Sequence, residues 1–497
     1  MNTFMNAMSN TSNYTVTENG ALAHKTTNSA VYDMFALGAA MRNRPIADIV
    51  LKFKNAYEED KELALKCLFY IGDCRGGQGE RRFFRACYSW LASQHPSVAI
   101  KLLRTIPFYR RWDDLLYVSI GNKEVWEAAM SFVRDQLADD IMSKTPSLLA
   151  KWLPSENASS AETKRVANAV RTSLHWSHRQ YRKTLSVLRG QIKVLEKTMS
   201  ANDWDKIEFD KLPAKAGLKY SKAFARRAET ALRYAEFMSS KTTKVNAGTL
   251  YPYEIAHKAL DNMWFDLSCP VREAINKYWE NLPDYFNGKS ASMMCVVDTS
   301  GSMQGTPIEV ATSLGMYCAE RLNGPFKDHF ISFSSRPKLI KVEGVDFVDK
   351  ARRIAKQNLC ENTDLVAVFD LLKGIALRPD VRKSDVPKTI VVISDMEIDN
   401  GTGNFRNGKN RRWTAESAPT EMEKVRQDWV ACGLEMPRLI YWNVDARHDT
   451  ILDAGPNVSF VSGCSPVIFE SILTGKNGYD LMLEKLMSER YAPITVD

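Results

Sequence analysis

Apolar residues recur with a helical spacing through the first part of the chain, as far as about residue 285. They return about every 3.6 positions, and Pro, Gly or Asx residues separate one segment from the next. No convincing strand pattern interrupts these segments. The predicted helices are 30–41, 45–57, 60–71, 79–93, 122–138, 160–173, 178–199, 219–238, 252–263 and 270–280. Successive helices joined by short turns predict stacked pairs, as in a HEAT-like solenoid or ring.

The pattern changes at about residue 286, where short apolar runs begin to alternate with helical segments. Two runs, Ala291–Asp298 and Lys388–Asp395, end in a carboxylate. The remaining strands are predicted at 329–333, 438–444 and 458–462, and the helices at 307–322, 363–377, 416–432 and 466–474. This alternation predicts a mostly parallel, Rossmann-like sheet with helices on both faces. We therefore expect an α + α/β chain, with a helical domain over 1–285 and a sheet domain over 286–497.

The composition is that of a globular protein, but the charge is unevenly distributed. The chain has 497 residues, of which 44% are hydrophobic and 25% charged, and its net charge is +8. Residues 161–250 contain 19 Lys/Arg against 8 Asp/Glu, which leaves 48 against 51 elsewhere. A basic district on an otherwise slightly acidic chain suggests a polyanionic partner.

The sequence carries no pattern typical of export or membrane insertion. No apolar run approaches the roughly 20 residues that span a bilayer, and Met1–Thr17 is polar and lacks the features of a signal peptide. Nine cysteines are scattered without CxxC pairing, which favours reduced thiols over disulfides or structural zinc. We expect a cytoplasmic protein that does not contact a membrane.

Oxygen-bearing side chains cluster where the two carboxylate-ending strands stop. Asp298 is followed by Thr299-Ser300-Gly301-Ser302, Thr363 opens a later helix, and Asp395 ends the second strand. The carboxyl ends of parallel strands lie at one edge of a sheet, so both aspartates are expected there. Carboxylate and hydroxyl oxygens suit Mg²⁺, or another divalent cation such as Ca²⁺ or Mn²⁺. The alternatives are helix capping by a vestigial motif, and metal-activated hydrolysis, for which no partnered general base is evident.

These residues resemble the metal-ion-dependent adhesion site of von Willebrand A domains. The family pattern is DxSxS, then Thr, then Asp, and it is matched by Asp298, Ser300, Ser302, Thr363 and Asp395. The resemblance covers roughly residues 290–475. It implies that the serines coordinate the cation directly, that the other residues act directly or through water, and that one position stays open. That position would accept an acidic group from a protein partner. The resemblance therefore implies a docking site rather than a catalytic one.

Two predicted helices in the basic district carry stripes of cationic side chains. Within 178–199 the stripe is His178, Arg182, Arg189 and Lys193, and within 219–238 it is Lys219, Lys222, Arg226 and Arg233. Trp176, Tyr181 and Tyr220 lie nearby and would stack on unpaired bases. Such stripes neutralise phosphates in nucleic-acid-binding proteins, but many are simply solvated helix faces.

The segment HWSHRQYRK (His175–Lys183) is similar to the Trp-Ser-His segment of the Ro autoantigen, or TROVE, family. Those proteins join a ring of helical repeats to a von Willebrand A domain, in the order predicted here. The resemblance implies binding of small non-coding RNA, or of single-stranded ends of misfolded RNA. It places His178 and Arg179 in the RNA-binding surface, with Arg182 and Lys183 in the same segment.

A likeness over nearly the whole chain is to an uncharacterised branch of von Willebrand A proteins from plants, bacteria and phages. Its hallmark segments are Thr17–Thr27, Arg75–Phe84, Tyr181–Ile207, Lys219–Phe224 and Asp298–Met303. This resemblance implies a fold rather than an activity.

Two other charged segments have competing interpretations. Arg75–Arg82 (RGGQGERR) is predicted as a turn that leads into a helix, the alternative being a phosphate site at that helix start. Arg110–Asp114 (RRWDD) is predicted as a salt-bridged corner rather than a ligand site.

The leading hypothesis is therefore a non-enzymatic RNA-binding protein whose metal site docks a protein through an acidic residue. The alternative is a metal-bridged protein scaffold, or an adaptor for an ATPase chaperone, that does not bind RNA.

Overall fold

The computed structural model of the protein describes residues 13–261, 263, 266–289, 291–333, 336–357, 364–398, 420–453 and 455–496. The helices, in chain order, are α1 (Ala30–Leu37), α2 (Ile46–Glu59), α3 (Lys61–Gly72), α4 (Arg81–Gln94), α5 (Pro96–Leu102), α6 (Ile106–Tyr109), α7 (Trp112–Ser119), α8 (Lys123–Met142), α9 (Leu149–Trp152), α10 (Ala161–Ser173), α11 (His178–Gln191), α12 (Leu195–Ser200), α13 (Ala214–Ala225), α14 (Ala228–Ser239), α15 (Pro252–Leu260), α16 (Cys269–Glu280), α17 (Thr306–Arg321), α18 (Phe347–Lys356), α19 (Leu365–Ala376), α20 (Glu421–Ala431), α21 (Phe469–Ile472) and α22 (Gly478–Leu486). The strands are β1 (Tyr14–Val16), β2 (Leu22–His24), β3 (Met293–Asp298), β4 (His329–Phe333), β5 (Leu339–Lys341), β6 (Thr389–Ser394), β7 (Arg438–Asn443) and β8 (Val458–Ser462).

The chain forms two compact units, each assembled from separate segments. The sheet unit comprises Met1–Cys67, Leu250–Asp266 and Leu282–Ser488. The helical unit comprises Leu68–Thr249, Leu267–Asn281 and Glu489–Asp497. The sequence prediction divided the chain once, between residues 285 and 286. The difference arises because the first 67 residues and α15 pack with the sheet.

The large sheet has the strand order β5-β4-β3-β6-β7-β8. Its neighbouring strands are parallel except for β4 and β5, which form an antiparallel pair. The central strands β3 and β6 are buried almost throughout, because helices flank the sheet and apolar residues therefore face both sides. The predicted α + α/β class and mostly parallel sheet are confirmed. Strand β5 was not predicted, since it has only three residues and only the central one is buried.

The N-terminal segment packs on the edge of the sheet formed by β8. The Phe460 N–H donates to the Tyr32 hydroxyl at 2.8 Å, and the Ser462 hydroxyl donates to the Phe35 carbonyl at 3.0 Å. Because Tyr32 and Phe35 belong to α1, this helix covers β8. In the described structure these residues therefore pack with the sheet unit.

Residues before α1 form an antiparallel hairpin of β1 and β2, which the polar sequence did not predict. The hairpin lies against segments that follow strands of the large sheet. The Thr17 hydroxyl donates to the Ile398 carbonyl at 2.7 Å, and His24 pairs with Ile451 through two backbone hydrogen bonds. The hairpin therefore reaches the carboxyl-end region of β6.

Helix α15 also belongs to the sheet unit, where it packs against α17 and α18. His257 Nδ1 lies 2.9 Å from Glu309 Oε1, and Arg352 Nε donates to the Ala259 carbonyl at 3.0 Å. The apolar spacing identified this helix correctly, but it contains no information about which unit the helix joins.

The helical unit is built from helices that pack against their near neighbours in sequence. Helix α4 packs against α5 and α7, while α13 and α14 pack against α16. The short helices α5, α6 and α7 fill a stretch in which no helix was predicted. Two of them begin with proline at the first or second position, where its missing N–H has no helical partner in any case.

Candidate metal centre

The predicted metal residues on the two central strands share one edge of the sheet. Strands β3 and β6 are parallel neighbours, with Val297 opposite Ile393. One residue further along, Asp298 ends β3 and Ser394 ends β6, and Asp395 follows directly. The carboxyl edge of the sheet therefore holds both aspartates, as the strand pattern predicted.

The turn after β3 places two hydroxyl oxygens side by side. The Ser300 N–H donates to Asp298 Oδ1 at 2.9 Å, and Ser300 Oγ lies 3.0 Å from Ser302 Oγ. Neighbouring ligands of an octahedral cation with bonds of about 2.1 Å lie about 3 Å apart. The spacing of the hydroxyls therefore fits two adjacent positions around Mg²⁺ or a similar ion.

Asp298 is completely buried beside a second carboxylate. Its Oδ2 accepts a hydrogen bond from the Ser394 hydroxyl at 2.5 Å. Burial, followed by repulsion from the charge on Asp395, raises the pKa of Asp298 to about 7. Two buried carboxylates at one edge create a local excess of negative charge.

An arginine that the sequence analysis did not identify contacts the second carboxylate. Asp395 accepts the Glu397 N–H through Oδ1 at 3.1 Å, and the Arg447 guanidinium donates to its Oδ2. A second nitrogen of Arg447 donates to Glu18 Oε2 at 3.0 Å. Arg447 lies in the segment that follows β7, so the strand-end rule indicates its region of the chain but not its contacts with Asp395 and Glu18.

The described donor set fits a hard divalent cation. Asp298, Ser300, Ser302 and Asp395 contribute only oxygen atoms, as Mg²⁺ and Ca²⁺ prefer. The fifth predicted ligand, Thr363, lies outside the described residues. Helix α19 was predicted to begin at Thr363. In the structure it begins at Leu365, with Asp364 as its N-cap.

A cavity of about 270 Å³ adjoins the edge that holds the predicted metal residues. Its lining comes from the N-terminal segment, the turn after β3, the start of α17 and the segment after β7. The residues are Arg42, Asn43, Ser302, Gln304, Thr306, Pro307, Val444, Asp445 and Arg447. Ser302 and Arg447 thus border both that edge and the cavity. A ligand in the cavity would have access to a predicted metal ligand and to a guanidinium.

Three further ionisable groups lie together next to Asp395. Ligand atoms of Glu18, Glu397 and His448 lie within 4.8 Å of one another. His448 Nδ1 is 3.0 Å from Glu397 Oε1, and the Glu18 N–H donates to Glu397 Oε2 at 2.6 Å. These contacts attach the N-terminal hairpin to the segment after β6. They explain why the three ionisable groups lie close together.

In the helical unit, two of the predicted RNA-contacting arginines instead hold the backbone together. Arg189 donates to the carbonyls of Ala150 and Leu153 at 2.8 and 2.7 Å, and burial lowers its pKa. Arg233 donates to the carbonyls of Asp205 and Ile207 at 2.8 Å each. Arg189 is half-buried, so its assignment to an open phosphate-binding face is corrected. Arg233 is exposed, and its contact with RNA stays a prediction.

The two basic stripes are each interrupted by a break in the helix. Helix α11 ends at Gln191, and Lys193 has a φ of +50° before α12 begins. Helices α13 and α14 meet at Arg226 and Arg227, so the predicted helix 219–238 is two helices. Lys193 pairs with Glu208. The cationic side chains therefore do not form the two continuous stripes that a single-helix geometry predicted.

The segment that resembles the Ro family forms the exposed start of α11. Ser177 caps this helix in a capping box with Gln180. His178 is exposed and lies 2.6 Å from Glu156 Oε1. The remaining predicted cations that are exposed are Arg179, Arg182, Lys183, Lys219 and Arg226. Lys222 is half-buried.

Of the three predicted stacking aromatics, Tyr181 is buried and donates its hydroxyl to the Pro154 carbonyl at 2.8 Å. It therefore has no face open to a base, which corrects that expectation. Trp176 and Tyr220 are half-buried, and the Lys219 ammonium lies 4.7 Å from the centre of the Tyr220 ring.

The two remaining charged segments have structural roles. Residues 73–80 form a turn before α4, and Arg81 and Arg85 bind Asp113 and Asp114. Both favoured interpretations, a turn and a salt-bridged corner, are thus confirmed. In the part of the chain that the structure describes, each helix is too short or too polar to span a bilayer.

Both the N-terminal and the C-terminal part of the chain are similar to known protein families. Residues 292–490 match the model of a domain of unknown function, DUF7788. Residues 17–112 and 140–285 match a second one, DUF2828. The chain is also similar to an uncharacterized protein of Acanthamoeba polyphaga mimivirus, with 26% identity over 98% of this chain and 89% of the viral protein. The predicted metal residues lie in the DUF7788 match, and the basic district lies in the DUF2828 match.

Proposed function

We propose that the sheet unit is a von Willebrand A-type domain that docks an acidic protein partner through a bound divalent cation, without catalysing a reaction. Asp298, Ser300, Ser302, Thr363 and Asp395 would hold the ion, which supplies a positive charge and an open coordination position. The observation that carries the proposal is the meeting of Asp298, the paired serine hydroxyls and Asp395 at one sheet edge.

The electrostatics of the edge support a cation. Asp298 and Asp395 are both buried, and Arg447 compensates the charge of Asp395 only. A second buried carboxylate is costly without further positive charge. The cavity beside Ser302 offers room for a partner's side chain. A docking role follows because the cation would still require a ligand that the chain does not contribute.

Calorimetric titration of Mg²⁺ and Mn²⁺ into the protein tests this proposal. The wild type is expected to bind one ion, and Asp298→Ala is expected to lose that binding. The matched control is Asp370→Ala, since Asp370 is an exposed carboxylate of the same unit that pairs with Lys373. Absence of binding in the wild type, or unchanged binding in Asp298→Ala, would refute the metal site.

A second candidate function is RNA binding by the helical unit. Arg179 and Lys183 are exposed one turn apart on α11, and Arg226 is exposed after α13. The Ro-like segment and the order of the two domain types also favour RNA, either small non-coding or with single-stranded ends. RNA would contact these exposed cations rather than the half-buried Arg189. The other exposed cations available to it are His178, Arg182, Lys193, Lys219 and Arg233.

Binding of labelled single-stranded RNA should weaken as salt rises. The triple variant Arg179→Glu, Lys183→Glu and Arg226→Glu is expected to bind at least about tenfold more weakly, a loss of about 1.4 kcal/mol. The control has the same charge change at exposed positions elsewhere in the unit: Lys101→Glu, Arg104→Glu and Lys123→Glu. Equal losses in the two triples would reject a specific RNA surface. Protein that purifies at low salt free of nucleic acid would favour the metal-bridged scaffold or the ATPase-chaperone adaptor.

A further inference from the structure

Arg447 connects the proposed metal edge to the adjoining cavity. Its guanidinium donates to Asp395 and, at 3.0 Å, to Glu18. Its side chain is 30% exposed, while its buried Nε has no hydrogen-bond partner within the described residues. One guanidinium therefore neutralises a predicted metal ligand and still retains a donor.

The same side chain lines the cavity together with Ser302 and Gln304. A carboxylate entering the cavity would therefore meet both a predicted metal ligand, Ser302, and the guanidinium of Arg447. A guanidinium binds a carboxylate through two parallel hydrogen bonds, a geometry that lysine cannot reproduce.

We propose that Arg447 is the specificity residue for the acidic ligand, and that it exchanges Asp395 for that ligand when a cation is bound. This inference rests on the proposed docking function. Without a cation, Arg447 compensates the charge on Asp395. With a cation bound, that compensation is redundant and two positive charges repel. The guanidinium is then available to a Glu or Asp side chain of the partner, whose carboxylate also approaches the cation.

The exchange predicts effects of opposite sign from one substitution. Arg447→Gln removes a positive charge that competes for Asp395, so the cation should bind more tightly. The same change removes a contact to the acidic ligand, so that ligand should bind more weakly. A residue with a purely structural role would not improve one affinity while reducing the other.

The first measurement is calorimetric titration of Mn²⁺ alone into the full-length protein. Arg447→Gln is expected to bind Mn²⁺ about tenfold more tightly than the wild type. The control is Arg44→Gln, because Arg44 pairs with Asp48 and Asp449 in the same unit and its removal should leave Mn²⁺ affinity unchanged. Unchanged or weaker binding in Arg447→Gln would overturn the inference.

The second measurement is fluorescence anisotropy of a labelled hexaglutamate peptide at saturating Mn²⁺, with hexaglutamine as the neutral probe. Arg447→Gln should bind hexaglutamate about tenfold more weakly than the wild type, and Arg44→Gln should match the wild type. Undiminished binding in Arg447→Gln would overturn the inference.

Arg447→Lys provides a second variant that keeps the charge. It should retain near wild-type Mn²⁺ affinity but lose peptide affinity, because its ammonium is not planar. If Arg447→Gln does not fold, this variant alone decides, and full peptide affinity in it would overturn the inference. Failure of the docking function itself has a different signature, since the wild type would then bind no Mn²⁺.

Discussion

Asp114 and Arg110 are almost completely buried in the helical unit, where a charge is stable only with close partners. Asp114 accepts hydrogen bonds from Arg110 at 3.0 Å and from Arg85 at 2.6 Å. Asp113 completes the cluster through Arg111 and Arg81, each at 2.8 Å. The cluster links α4 to the start of α7, so its interactions stabilise the packing of the helical unit.

Replacing Asp114 by Asn should therefore destabilise the helical unit strongly. The variant leaves buried Arg110 without a compensating charge, and the expected loss is roughly 3–5 kcal/mol in the free energy of unfolding. Urea denaturation measures this loss. Asp135→Asn is the control, because Asp135 pairs with Arg104 on the surface and should cost less than about 1 kcal/mol. Similar midpoints for the two variants would show that the buried cluster is not stabilising.

The same cluster predicts how stability depends on pH. Burial alone would raise the pKa of Asp114, but the charges of Arg110, Arg85 and Arg81 outweigh it and hold the pKa below its usual value. Its contribution is therefore complete above the unfolded pKa of about 4 and is lost as the pH falls through the folded value. The stability difference between wild type and Asp114→Asn should shrink below about pH 4. A difference that stays constant in urea titrations down to pH 3 would contradict this mechanism.

At the scale of the element, the order of helices and strands was largely predictable and the position of helix breaks was not. Lys193 adopts a left-handed backbone conformation, and no glycine at this position indicates a helix break in the sequence. The apolar spacing also continues across the break. The same spacing suggested that Arg189 shared a face with exposed cations, whereas its guanidinium satisfies carbonyls near the end of α9. Those carbonyls are distant in sequence, so the local apolar periodicity could not predict their hydrogen bonds to Arg189.

The distinction between Arg189 and its exposed neighbour on α11 can be tested directly. Arg189→Gln should destabilise the helical unit by about 2–3 kcal/mol, since buried carbonyls lose charged donors. Arg182 is exposed on the same helix, and Arg182→Gln should change stability by less than about 0.5 kcal/mol. Chemical denaturation of the two variants under one set of conditions compares them. Equal stabilities would indicate that Arg189 is also a surface residue.

At the scale of the whole molecule, the predicted metal residues Asp298 and Asp395 lie at one edge because parallel strands bring their carboxyl ends together. That geometry is encoded locally, in two apolar runs that each end in aspartate. The N-terminal segment and α15, which complete the sheet unit, could not be assigned to it in this way. Glu18 and Arg447 meet across more than 400 positions, and nothing in the composition of the polar N-terminal segment indicates that it packs beside β6 and β8.

This discontinuity predicts that residues 286–497 do not form a stable unit on their own. Without α1 and α15, the apolar surface that these helices cover at β8 and α17 would be exposed to solvent. We expect the truncated chain to lack a cooperative thermal transition and the near-ultraviolet circular dichroism of a packed core. Co-expression with residues 1–285 as a second polypeptide should restore both, because the missing helices are then supplied in trans. Cooperative unfolding of residues 286–497 alone would instead show that the N-terminal segment is an accessory to a sheet that is already complete.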